Sequence, residues 1–113
     1  MLINTKSKFA VIAMINLAKL SKESPVKLSE LAKRQKLSTS YLEQLFMKLK
    51  RAELVESVRG PGGGYKLPSL DISVAQIVKA IKPPEPGAGK GWNSVSKQVG
   101  DSLNSIKLRD LLL

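Results

Sequence analysis

The sequence predicts a mainly α fold with one small β-hairpin near the middle of the chain. Three observations carry this. Apolar residues recur at helical spacing through successive segments; a Val-rich run, Leu54-Val55-Glu56-Ser57-Val58, breaks that period; and the turn cluster Arg59-Gly60-Pro61-Gly62-Gly63-Gly64 leads from it into Tyr65-Lys66-Leu67. With 113 residues, 42% of them hydrophobic, the chain has apolar material for one core and is too short for a second full domain.

In the first predicted helix, Lys6 to Leu20, the residues Phe9, Ile12, Ala13, Leu17 and Leu20 follow the helical period, and Val11, Met14 and Ile15 fill much of the rest. A helix apolar on more than one side suits a core element pressed against a second body. Pro25 marks a break. A short helix over Lys27 to Gln35 then buries Leu28, Leu31 and Ala32, with Lys33, Arg34 and Lys36 on its solvent side. Ser38-Thr39-Ser40 offers hydroxyls to cap a third helix, through either Ser38 or Ser40, and Leu42, Leu45, Phe46 and Leu49 form its buried stripe down to about Arg51. Two helices joined by about three residues, the second opening on small polar side chains, form a helix-turn-helix pattern.

The hairpin that follows directly reads as a wing, which makes the whole a winged helix-turn-helix DNA-binding domain over residues 1–82. Ser73 with Gln76 is a capping-box signature for a fourth helix burying Ile77, Val78 and Ile81. Residues 83–91, with three prolines and three glycines, are expected to be a loop or linker. From about Trp92 a last helix carries Val95, Val99 and Leu103 on one stripe, and Ile106, Leu108 and residues 111–113 continue an apolar tail. So much apolar surface on residues 92–113 is poorly explained by burial within one small domain, and a homodimer would cover it.

Charge narrows the partner. Nineteen Lys and Arg against nine Asp and Glu give a formal charge of +10, which points to a polyanion, with nucleic acid ahead of an anionic membrane surface. No apolar run approaches the roughly 20 residues needed to span a bilayer, and the N-terminus lacks a signal-peptide core, so a cytoplasmic location is expected. The chain has no Cys and no His, which removes disulfides, thiolate chemistry, imidazole bases and the usual zinc sites. The carboxylates are scattered without a close pair, so an enzyme is not expected. Gly87-Ala88-Gly89-Lys90 lacks the Walker spacing and has no strand before it.

The strings SYLEQLF and LVESVRGPGGGYKL, together with the Phe9-Ala10-Val11 helix upstream, resemble the IscR-like branch of the Rrf-type winged-helix transcription regulators. The resemblance runs from Met1 to about Lys82, and VRGPGGGY is specific because it falls at the predicted wing directly after the predicted recognition helix. It implies a homodimer on a partly palindromic operator in double-stranded DNA, with recognition helices in successive major grooves, wings at the minor groove and a C-terminal dimerisation helix. Carried onto matching positions, Ser40, Glu43 and Gln44 read bases. Their chemistry agrees, because Gln can pair bidentately with adenine, Glu can accept from the cytosine amino group and Ser can do either. Thr39, Tyr41 and Arg51 are expected at phosphates, Arg59 in the minor groove, and Gly60, Pro61 and Gly64 where the backbone lies close to sugar and phosphate. Lys33, Arg34, Lys36, Lys48 and Lys50 cluster around the helix-turn-helix as a phosphate footprint. Trp92, Val95, Val99 and Leu103 fall in the dimer interface.

The chain departs from its relatives in one respect. Several members of this branch hold a two-iron, two-sulfur cluster through three Cys and a fourth non-Cys ligand in the loop before the dimerisation helix, and residues 83–91 contain no Cys, so no cofactor is expected from this sequence. That loop is also short. The alternative function is a winged-helix module that meets an acidic protein through the same basic face, with no operator preference.

Overall fold

The computed structural model describes residues 4–21, 24–82 and 90–112, and the side chains of residues 90–96 lie outside that description. In chain order the elements are α1 (Thr5–Leu20), α2 (Leu28–Gln35), α3 (Thr39–Arg51), β1 (Glu56–Val58), β2 (Gly64–Lys66), α4 (Val74–Ile81), α5 (Lys90–Asn104) and a 3-10 turn (Leu108–Leu111). The core lies where α1 packs on α4, α2 and α3, and where α3 and α4 meet.

Helix α1 starts at Asn4, whose side-chain carbonyl accepts the Ser7 amide at 2.8 Å. Its buried stripe is Ala10, Ala13, Met14, Leu17 and Ala18. Ile12, expected on that stripe, is only half-buried, as are Val11 and Ile15, which accounts for the breadth of apolar surface seen in the sequence. Three small alanines on the buried side let neighbouring helices approach closely. Helix α2 buries Leu31 and Ala32 and ends at Lys36 in the left-handed region (φ 55°), where the Leu37 amide reaches the Ala32 carbonyl at 3.0 Å. That ending turns the chain within three residues into α3.

The hairpin is shorter than the Val-rich run. Leu54 and Val55 are buried core residues ahead of β1, and pairing begins only at Glu56, opposite Lys66, with Ser57 opposite Tyr65 and Val58 opposite Gly64. A third strand position joins from the α1–α2 connection: Val26 and Tyr65 exchange both backbone hydrogen bonds, at 2.9 and 2.8 Å. The wing is thereby stitched to the helical body as well as to itself.

Helix α4 has the capping box its sequence announces, with the Gln76 amide on Ser73 Oγ (3.2 Å) and the Ser73 amide on Gln76 Oε1 (2.8 Å). The C-terminal segment corrects an expectation. The apolar tail after α5 folds back onto the domain, so part of the surface expected to need a partner is buried within the single chain. The Val74 amide bonds the Ile106 carbonyl, the Leu108 amide bonds the Ile72 carbonyl, and Leu108 is fully buried in the core beside α1. Ser73 Oγ also donates to Asn104 Oδ1 at 3.2 Å. Helix α5 itself packs on α4 and begins at Lys90, two residues before Trp92. The rest of the expected loop lies outside the described residues.

Candidate nucleic-acid interface

Helix α3 commits one face to the core and presents a dense set of polar groups on the other. Leu42, Leu45, Phe46 and Leu49 are buried, while Thr39, Ser40, Glu43, Gln44, Met47, Lys48, Lys50 and Arg51 are exposed. The cap is Ser38, whose Oγ accepts the Tyr41 amide at 3.1 Å. Ser40 is therefore free of the capping role and stands exposed on the first turn, one turn below Glu43 and Gln44. The three predicted base-reading side chains share the outward face.

Thr39 lies exposed at the same end, with its amide and that of Ser40 among the helix-terminal donors that lack an intrahelical acceptor. Tyr41 is placed differently from the expectation. Its ring stands edge-on to Phe9 at 6.0 Å, it is half-buried, and its amide is spent on Ser38. The residue braces α3 against α1, and its backbone donor is not available to a phosphate.

The wing tip carries Arg59, Gly60 and Pro61, all exposed, and its turn closes with the Gly63 amide on the Gly60 carbonyl at 2.9 Å. Gly64 has a different reason to be glycine than contact with sugar and phosphate. At φ 152° it lies against the α1–α2 connection, and a Cβ there would fall on the Val26 carbonyl. Its missing side chain lets the Val26–Tyr65 bridge form. The position of the wing relative to α3 is set by Tyr65, whose ring meets that of buried Phe46 at 5.0 Å and 65°. Helix α3 and the wing thus share one aromatic contact.

Of the basic footprint, Lys33, Arg34 and Lys36 are exposed at the end of α2, and Lys50 and Arg51 at the end of α3. Lys48 is already engaged: its ammonium donates to the Ile81 carbonyl at 3.3 Å, satisfying the C-terminus of α4. Lys66 pairs across the hairpin with Glu56 at 3.7 Å, an exposed contact of little energetic weight. Met47 was not foreseen as part of this face. The signal was present, since an apolar residue there is out of phase with Leu42, Leu45, Phe46 and Leu49.

Val99 and Leu103 on α5 are half-buried within the single chain. The side chains of Trp92 and Val95 lie outside the described residues. No helix among the described residues is long and apolar enough to cross a membrane.

The donor set does not fit an iron-sulfur cluster. Such a cluster needs thiolates, and this sequence has neither Cys nor His; among the described residues no three carboxylates come together as a substitute.

Residues 3–88 match the model of the Rrf2 family, described as iron-dependent transcriptional regulators. The chain is 39% identical to the HTH-type transcriptional regulator IscR of Vibrio cholerae over 131 positions, covering 100% of this chain and 76% of that protein. The matched span exceeds the 113 residues of this chain, so the relative carries residues inside it that have no counterpart here. Among solved structures, the T. potens IscR superposes with a TM-score of 0.84 at 39% identity, covering 99% of this chain and 86% of the other. CymR, the global cysteine regulator of B. subtilis, gives 0.85 at 34%, covering 99% and 96%. On these grounds the chain belongs to the Rrf2 family of winged-helix transcriptional regulators.

Proposed function

We propose that this chain reads a partly palindromic operator in duplex DNA as a homodimer, with α3 in the major groove and the wing on the flanking minor groove, and without an iron-sulfur cluster of its own. The observation that carries the reading is the outward face of α3. Ser40, Glu43 and Gln44 project from a helix whose opposite side is locked into the core, so their positions relative to the wing are fixed before DNA arrives. In a major groove, this set offers Gln44 to adenine, Glu43 to the cytosine amino group and Ser40 to either kind of edge. Lys33, Arg34, Lys36, Lys50 and Arg51 flank it as cations for phosphates, and the net charge of +10 supplies the sequence-independent attraction.

The missing thiolates and the shortened match to IscR support a regulator whose DNA affinity answers to something other than its own cluster.

Selection of bound sequences from a random duplex pool tests the reading. A single enriched motif with two-fold character is expected. Gln44→Ala and Glu43→Ala should each relax the preference at one position of each half-site, by about 1–3 kcal/mol, with non-specific binding nearly unchanged. Lys33→Ala should weaken all sequences alike. A pool that yields no preferred sequence would leave only a basic protein-binding surface.

A further inference from the structure

We propose that Met47 touches the 5-methyl group of a thymine in the major groove, and so specifies an A·T pair next to the pair read by Gln44. This rests on the DNA reading above and adds a contact that hydrogen-bonding side chains cannot make.

Met47 is 55% exposed, and Leu70, at 38%, is the only other large hydrophobic residue exposed among the described residues. On a helix advancing about 100° per residue, Ser40, Gln44, Met47 and Arg51 fall within a sector of roughly 60°, pointing away from the stripe of Leu42, Leu45 and Leu49. Met47 therefore stands near the middle of the outward face. Ser40, Glu43, Gln44 and Met47 also follow the spacing i, i+3, i+4, i+7, the set of positions that a helix lying in the major groove can bring to base edges.

The surroundings of Met47 decide what it meets. Its neighbours on α3 are Glu43, Gln44, Lys50 and Arg51, and the Arg51 guanidinium lies 3.9 Å from its sulfur. A protein partner that buried a methionine would ask for a contiguous apolar patch, and none surrounds it here. The complementary surface must instead be polar and anionic with one isolated apolar spot. A duplex has that character, because the thymine methyl is the apolar feature of its major groove. Three residues along a helix advance about 4.5 Å and one base pair about 3.4 Å, so Met47 falls roughly one pair beyond Gln44.

The test uses the full chain and the duplex recovered by selection. Each thymine of a half-site is replaced in turn by deoxyuridine, which lacks only the methyl. At one position, adjacent to the one that loses its preference in Gln44→Ala, binding should weaken about fourfold, the factor for one buried methyl-sized group. Met47→Ala should bind the thymine and uracil forms equally, and Met47→Leu should keep the difference. At the same position, a 5-methylcytosine duplex should bind about fourfold better than its cytosine counterpart, separating the methyl from the rest of the base. Because Met47 is exposed, Met47→Ala should unfold at the same urea concentration as the parent. A uracil scan that is flat in the parent, a difference that survives in Met47→Ala, or equal binding of cytosine and 5-methylcytosine overturns the contact. Any of these with a motif still enriched leaves the operator reading standing, whereas failure to enrich a motif removes the operator reading itself.

Discussion

Lys36 and Glu53 are the non-glycine residues that hold positive φ among the described residues, at 55° and 60°, and they close the two helices of the helix-turn-helix, α2 and α3. At each, a pair of backbone bonds ties off the helix. Lys36 bonds the Lys33 carbonyl while Leu37 bonds Ala32; Glu53 bonds Lys50 while Leu54 bonds Leu49. The left-handed conformation costs a side-chain-bearing residue roughly 1–2 kcal/mol; a glycine, lacking Cβ, relieves that cost but forfeits part of the gain to the greater freedom of the unfolded chain. Glu53→Gly and Lys36→Gly should therefore each stabilise the fold by about 0.5 kcal/mol, seen as a raised urea midpoint with an unchanged slope. A lowered midpoint would mean that the side chains contribute more at these turns than the backbone loses. Gly64 is the reverse case. Its Cβ position is occupied by the Val26 carbonyl, so Gly64→Ala must part the Val26–Tyr65 bridge or bend the wing, costing about 1–3 kcal/mol in the same measurement. An alanine tolerated there without loss would remove the packing reason for that glycine.

At the scale of elements, the wing works as a lever fixed at its base and free at its tip. Tyr65 anchors it twice, through backbone bonds to Val26 and through its ring on Phe46, while Arg59 stands exposed where the strands end. A cation carried on a fixed arm gains most where the groove is narrow and its negative potential focused, as it is over A·T-rich flanks. Arg59→Ala is accordingly expected to weaken binding to operators with A·T-rich flanks more than to those with G·C-rich flanks, in titrations at constant salt; equal losses on both would make Arg59 a simple phosphate contact. How much of this was legible in the sequence follows from range. The buried stripe of α3, the Ser73–Gln76 capping box and the turn glycines are local, and periodicity and capping chemistry exposed them. Leu54 and Val55 open a run that reads as a strand, yet both are buried in the core ahead of β1 and pairing begins only at Glu56. Lys48 reads as a free surface cation, and only the fold reveals that it sits beside the Ile81 carbonyl, 33 residues away. Gly64 reads as a DNA-facing turn residue for the same reason, since its neighbour Val26 lies on a distant stretch of chain.

For the molecule as a whole, the folded-back C-terminus changes how dimerisation must be tested. Deleting the residues after the α4–α5 connection would remove the apolar face of α5, but it would also strip Leu108 from the core and break the bonds from Ile72 and Val74 to the last segment. Loss of dimer and loss of fold would then be indistinguishable. Point changes separate them, because Val99 and Leu103 are only partly buried in the single chain while Leu108 is fully buried. Leu103→Asp is expected to leave the thermal unfolding of the domain nearly intact and to convert the protein to a monomer in sedimentation, since a carboxylate cannot be buried unpaired between two α5 helices. Joining two half-site readers raises overall affinity by about 10²–10⁴ without any new base contact, so the monomer should bind the full palindrome hardly better than an isolated half-site. Leu108→Ala should do the opposite, costing about 2–5 kcal/mol of stability at the core while the folded fraction keeps its oligomeric state. If Leu103→Asp still sedimented as a dimer, the apolar face of α5 would not be the interface, and the two-fold symmetry of the operator would have to arise from another surface.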